Sequence, residues 1–454
     1  MSPLGPAALE RRLGLPEALG TSVAIISPTI GMAFNVVLVT QVAGVAAPLA
    51  FAFGTAVMIV VALSFVAFSR RQSHAGAAYA FIAHAFGAPL GVLAGWAMIL
   101  VYTCFCAGLA ALFEIFIVAA LANLGIHAEK FGMLLAVGSI IGCAILAWRD
   151  VRLASRLMLA LEAIAIAAIL ILTVVIFASV NAHGGWSLAP FSAHASPHGW
   201  MGLGFALVFA VLSFAGFEGA ATLGEETRDP ERTIPLAMIG SVLGSGLLFV
   251  VVSYAIVLGF GLSKNAELAQ AATPLDDLSR RLIGSGFAIG LDLCCAISAF
   301  SCALGSLTSS ARILFALGRG GLSPGLAKID RIHHTPARAI ILCASLTTVS
   351  LAAILAGTSA MDFYGNTATM ATLAIILVYA GVAIGEAVEA ARVRRLGSVA
   401  LGLLGTAVLA WALLASVLPS SGPTGVVWAM AVAGWMAVGG LVLLLRPALR
   451  RWKA

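Results

Sequence analysis

Apolar residues run through this chain in blocks far longer than an amphipathic period allows. Positions 18–69, 72–113 and 396–445 hold no Lys, Arg, Asp or Glu, giving runs of 52, 42 and 50 residues. A helix on a water-soluble core returns a polar face to solvent with every turn, so it cannot produce such runs. A bilayer core about 30 Å thick needs about 20 helical residues to cross it. With that ruler the chain divides into twelve expected spans: 17–43, 48–68, 91–121, 131–149, 155–180, 200–225, 235–261, 282–318, 338–357, 361–384, 397–418 and 424–446. The segments are too long for transmembrane β-strands and lack their alternation. The fold class expected is therefore an all-α polytopic membrane protein.

Composition agrees. Of 454 residues, 61% are hydrophobic and only 10% charged, against about 25% charged in soluble domains; mean hydropathy is +1.07. A soluble enzyme, a nucleic-acid binder and a disordered chain are excluded. The net charge of +6 reflects basic residues between spans, where they set topology. With the N-terminus in the cytoplasm, 21 of the 25 Lys and Arg fall inside. Lys130, Lys264, Arg280 and Arg281 fall outside. Both termini are thus expected in the cytoplasm, and the lean loops suggest a bacterial inner membrane. The apolar stretch after Arg11 and Arg12 is too long for a signal-peptide core, so no cleavage is expected. All seven cysteines lie in apolar runs and read as small buried hydrophobes, not a disulfide framework or metal site. No cofactor is expected.

Two spans are interrupted. Span 1 contains Ser27-Pro28-Thr29-Ile30-Gly31-Met32-Ala33, where proline removes a donor and glycine loosens the helix. Span 6 contains Ser213-Phe214-Ala215-Gly216-Phe217-Glu218-Gly219, with a carboxylate between two glycines. Span 1 opens a set of five (17–180) and span 6 opens another (200–384). Paired breaks at corresponding places point to a five-plus-five inverted repeat with discontinuous helices 1 and 6, and to 397–446 as two peripheral helices. Freed amides and carbonyls there, aided by half-helix dipoles, can hold both ends of a zwitterion. The substrate-binding candidates are Ser27, Thr29, Ile30, Gly31, Ala33, Phe214, Ala215, Gly216, Phe217 and Glu218. Phe209, Phe214 and Phe217 read as packing before they read as a lid.

Ionisable groups inside spans are costly and point to function. Glu218, beside the second break, and Asp292, about ten residues into span 8, are the proton-coupling candidates. No Lys or Arg sits at any span's centre to neutralise Asp292. Glu114 and Glu162 read as structural.

The stretch Phe214-Ala215-Gly216-Phe217-Glu218 leads into Leu223-Gly224-Glu225-Glu226-Thr227-Arg228-Asp229-Pro230 and on to Pro235. A second stretch runs from Ser309-Ser310-Ala311-Arg312 through Arg319 and Pro324 to Thr335-Pro336. Together they resemble the sixth and eighth helices and following loops of the amino acid–polyamine–organocation (APC) superfamily. The resemblance implies a LeuT-like fold, alternating access, and amino acids or amines as cargo. Where that superfamily usually has Gly-Ser/Thr-Gly to hold a carboxylate, this chain has Gly31-Met32-Ala33. A cationic amine or polyamine without an α-carboxylate therefore stays open as an alternative. The resemblance also implies a coupling-ion position near Ser298 and Ser301. Some proton-coupled relatives place a fifth-helix lysine there, whereas span 5 here offers Glu162. The reading favours proton coupling or exchange.

There is no P-loop for a pump, and no Gly-x-Ser-x-Gly or His-Glu-x-x-His for a protease. The chain reads as a secondary transporter, not an enzyme, with a channel or scaffold as the competing class. The partners expected are a small amino acid or amine, a proton and lipid; oligomeric state is not legible.

Overall fold

The computed structural model describes residues 14–70, 78–149, 152–223, 227–330, 333, 335–355, 357–417 and 423–451. Among these the chain forms helices and turns without a strand. The long elements begin with α1 (Leu15–Ile26), α2 (Val36–Ala43), α3 (Ala47–Ser69), α4 (Ala78–Phe86), α5 (Ala88–Asn123) and α6 (Gly132–Arg149). They continue with α7 (Arg152–Ala182), α8 (Gly199–Leu212), α9 (Pro230–Phe260), α10 (Asn265–Gln270) and α11 (Pro274–Leu282). The chain closes with α12 (Ser285–Arg319), α13 (Ala337–Leu355), α14 (Ala360–Arg392), α15 (Leu396–Val417) and α16 (Pro423–Leu445).

Among the described residues, ten helical stretches are long and apolar enough to cross a membrane. The first, Leu15–Ser69, takes in the expected spans 17–43 and 48–68, because only short turns separate α1, α2 and α3. The expected span 338–357 falls on α13, whose apolar part, Ala337–Ala352, is shorter. Prolines open several helices at the first turn, where the missing donor costs nothing: Pro48 in α3, Pro89 in α5, Pro230 in α9 and Pro274 in α11. Pro235 was expected at such a start. It instead lies inside α9, which begins five residues earlier at Pro230.

The bundle is built around α5, which packs along α12 and α14, while α3 lies along α9. The stretch containing α8 is 83% buried and that of α14 is 72%, against 28% for α15 and 17% for α16. The last two helices therefore line the rim. Two indoles fasten that rim. Trp96 of α5 and Trp435 of α16 stack with centroids 4.9 Å apart, and each donates its Nε1–H to the other's carbonyl at 2.9 Å.

Candidate functional site

The first break is held open by a carboxylate. Ser27 follows α1 with φ 49°, in the left-handed region. Pro28–Ile30 form one turn, Gly31–Asn35 a π-turn, and α2 resumes at Val36. In an uninterrupted helix the Thr29 amide would donate to the Ile25 carbonyl, four residues back. It donates instead to Oε1 of Glu162, on α7, at 3.0 Å. The Ile25 carbonyl is left with the Cys302 thiol of α12, at 3.4 Å. The other Glu162 oxygen accepts the Ser298 hydroxyl at 2.5 Å, and the Ser298 and Ser27 hydroxyls are 2.6 Å apart. Glu162 is 5% exposed. It stitches α7, α12 and the break into one hydrogen-bonded knot.

At the second break α8 stops at Leu212, and a 3-10 segment, Phe217–Leu223, resumes after a turn. Gly216, between them, has φ 104°. A Cβ there would lie 2.8 Å from Ile25 Cβ, so both backbone angle and close approach demand glycine. The Gly216 amide donates to Glu218 Oε2 at 3.1 Å, and the Tyr379 hydroxyl of α14 donates to the same oxygen at 2.9 Å. Glu218 thus caps its own break. Its Oε1 is buried with no hydrogen-bond partner among the described residues.

The two breaks are tied on both flanks. Ser22 of α1 donates to the Phe217 carbonyl at 2.7 Å and accepts the Ala220 amide at 3.0 Å. Asn35 donates to Ser213 Oγ at 2.9 Å and accepts the Tyr364 hydroxyl of α14 at 2.7 Å.

Between the breaks lies a cavity of about 30 Å³. One water needs roughly 10–15 Å³ on the same measure. Ile25, Ser27 and Ile30 line it from the first break, and Leu212 and Ala215 from the second. Cys104 and Phe105 of α5, Cys302 of α12, and Tyr364 and Thr367 of α14 complete most of the wall. None of its lining residues is charged; the polar groups are hydroxyls, thiols and the Asn35 amide.

Of the ten substrate-binding candidates, Ser27, Ile30 and Ala215 line this cavity. Thr29 contributes its amide to Glu162. Gly31 turns its bare Cα to Phe249, whose ring edge is 2.7 Å from where a Cβ would sit. Ala33 is buried in the core. Phe214 meets Phe249 edge-on, and Phe217 joins Phe65 and Tyr379, which accords with packing. Gly216 and Glu218 are not among the lining residues; they bond to each other next to Ala215, which is.

Asp292 sits elsewhere. It is the eighth residue of α12 and 2% exposed. Asn123, the last residue of α5, donates to it at 3.4 Å and to Asp276 of α11 at 2.7 Å. Arg280 donates to Asp276 at 2.8 Å. Asp292 therefore joins the junction of α5, α11 and α12, not the breaks. Glu114 packs over Gly132 at the start of α6. Glu225 and Glu226 of the loop motif lie outside the described residues.

Glu162's contact with the break, and the roles of Asn35, Tyr364 and Cys302, were not legible in advance. Asn35 carries a usable signal, being one of two side-chain amides, with Gln41, in the uncharged run 18–69. The others act through partners more than 130 positions away.

The amino acid permease family model matches residues 21–437. A branched-chain amino acid permease of Lactococcus lactis subsp. cremoris is 28% identical over 298 residues, 62% of this chain and 62% of its own length. A low-affinity putrescine importer of Escherichia coli is 26% identical over 319 residues, 67% of this chain and 66% of its own. These two alignments thus span a little under two thirds of those proteins. An uncharacterized transporter of Mycobacterium tuberculosis is 29% identical over 436 residues, 93% of this chain and 90% of its own. Among solved structures, a substrate-bound, outward-open Na+-coupled sialic acid symporter has the same fold. Its TM-score is 0.53 at 14% identity, covering 88% of this chain and 89% of the symporter.

Proposed function

The chain belongs to the amino acid permease family, and on that footing we propose that it is a secondary active transporter of a neutral amino acid with an apolar side chain. It works by alternating access, in a bacterial inner membrane with both termini cytoplasmic. In this reading there are twelve spans, ten of them forming the inverted repeat 17–180 and 200–384 and two, at 397–446, outside it. The paired breaks in the first and sixth spans support that arrangement.

The observation that carries the cargo assignment is the cavity where both breaks meet, whose wall mixes aliphatic side chains with aromatic rings, hydroxyls and thiols and has no charged residue among the described ones. Such a wall suits an uncharged side chain, with the freed main chain taking the ammonium and carboxylate. The competing cargo, a cationic amine, has in its favour the unpartnered Glu218 Oε1 and the putrescine importer among the relatives. A diamine, however, would need acidic groups at both ends, and the cavity offers none.

For the coupling ion we favour the proton, with Glu162 as its carrier before Glu218 or Asp292. Glu162 reaches the cavity through the Ser298 and Ser27 hydroxyls. Ionised, Glu162 accepts from Ser298, Ser298 accepts from Ser27, and the Ser27 oxygen presents lone pairs to the cargo. Protonated, Glu162 donates to Ser298 and Ser298 to Ser27, which frees the Ser27 hydrogen for the cargo carboxylate. One proton thus inverts the polarity of a cavity hydroxyl. Counterflow and pH-gradient-driven uptake in proteoliposomes test the assignment, with leucine, alanine and putrescine as labelled cargo. Saturable leucine or alanine counterflow and sodium-independent accumulation are expected; putrescine counterflow alone, or strict sodium dependence, would overturn it.

A further inference from the structure

The Ile25 carbonyl is an acceptor without its proper donor. Glu162 has drawn the Thr29 amide away, and the close approach of Gly216 fixes Ile25 in place. What remains for the carbonyl is Cys302, at 3.4 Å. A thiol is the weakest donor among the side chains that carry one. Both Ile25 and Cys302 line the cavity between the breaks, so a cargo entering there meets this pair. An ammonium group makes a charge-assisted hydrogen bond about twice as strong as a neutral one, and so outcompetes a thiol at that oxygen.

We propose that Cys302 is a positioning and specificity residue of the cavity. Its thiol holds the Ile25 carbonyl while the cavity is empty and releases it to the ammonium group of the cargo. The assignment depends on the amino acid carrier reading given above, and it extends that reading to a residue that touches the cargo's binding group. A hydroxyl at the same position would serve worse. It would bind the carbonyl more tightly than the thiol of Cys302 does at 3.4 Å, and so leave it less ready for the cargo.

Two measurements on the full-length protein in proteoliposomes test this. The first compares KM for leucine counterflow in wild type, Cys302→Ala and Cys302→Ser. Exchanging a thiol for a stronger competing donor is expected to raise KM about threefold to tenfold in Cys302→Ser. Cys302→Ala, which leaves the carbonyl without a competing donor, should lower KM about twofold to threefold. A residue that only fills space would give the reverse order, because alanine leaves the larger void; that order would overturn the proposal. The second measurement needs no variant. Methyl methanethiosulfonate labelling of the wild type, read peptide by peptide, should be slowed at Cys302 by saturating leucine. It should not be slowed by 4-methylpentanoate, which lacks the ammonium. Equal rates with and without leucine, or no reaction at Cys302, would also overturn it. A thermal-shift series separates the two levels. If leucine shifts the melting temperature but the KM order is reversed, only the role of Cys302 falls. If no neutral amino acid shifts it, the carrier reading falls and the Cys302 proposal with it.

Discussion

Glu162 and Thr29 are separated by 133 positions, yet the carboxylate of the first holds the main-chain amide of the second at 3.0 Å. That bond keeps the first broken helix from healing. In the mechanism proposed above it would also give the coupling proton a route to the cargo, because the same carboxylate continues through Ser298 to Ser27.

Glu162→Gln should separate coupling from carriage. The amide oxygen still accepts from Thr29, and the amide nitrogen donates to Ser298 as a protonated acid would. Leucine counterflow is expected to persist within about threefold of wild type. Accumulation driven by a pH gradient should fall at least tenfold, and the dependence of uptake on pH should flatten. An unchanged pH profile in proteoliposomes would remove Glu162 from the mechanism.

Gly216→Ala should abolish transport. It forces a side chain into φ 104° and against Ile25, and left-handed strain of this kind costs about 1–3 kcal/mol. A lower melting temperature, with counterflow below a tenth of wild type, is the expected outcome. Full activity would mean that the two breaks need not approach so closely.

At the junction of α5, α11 and α12, Arg280 is the cation that bonds Asp276. Removing it as Arg280→Ala leaves a carboxyl group that is 4% exposed without that partner. Arg280 itself is 46% exposed, so screening limits the cost to about 1–2 kcal/mol. Asp276→Asn in the same background should restore most of that loss in thermal denaturation, since the buried charge is gone. A double variant less stable than Arg280→Ala would contradict this account.

Trp435→Phe removes one of the two reciprocal indole bonds and keeps a ring stacked on Trp96. It should cost about 0.5–1.5 kcal/mol and leave leucine KM and kcat unchanged, because α16 lies at the rim, away from the cavity. A changed KM would bring α16 into the transport cycle.

How much of this was readable from sequence follows from the range of each interaction. Helix identity and the two breaks are local properties. Pro28 and Gly31 interrupt one span and Gly216 the other, and both breaks stand where expected. The fine structure of the breaks is not local. Gly31 is a candidate to hold the cargo, but its amide donates to the Ser27 carbonyl at 3.2 Å and its bare side faces Phe249 from α9, neither of which the sequence announces. Asp292 looked mid-membrane and unpartnered, because nothing in the chain order announces that Asn123 and α11 reach it. Glu162 looked structural for the same reason. Its partners Thr29 and Ser298 come from two other helices, and only packing brings the three together.

The space between the breaks, about 30 Å³, has one more implication. It has room for only a couple of water molecules, so a solute of amino-acid size can lodge there only if the surrounding helices draw apart. Every loading event would then include a wall movement, and the measurable sign is an association rate that levels off as solute concentration rises.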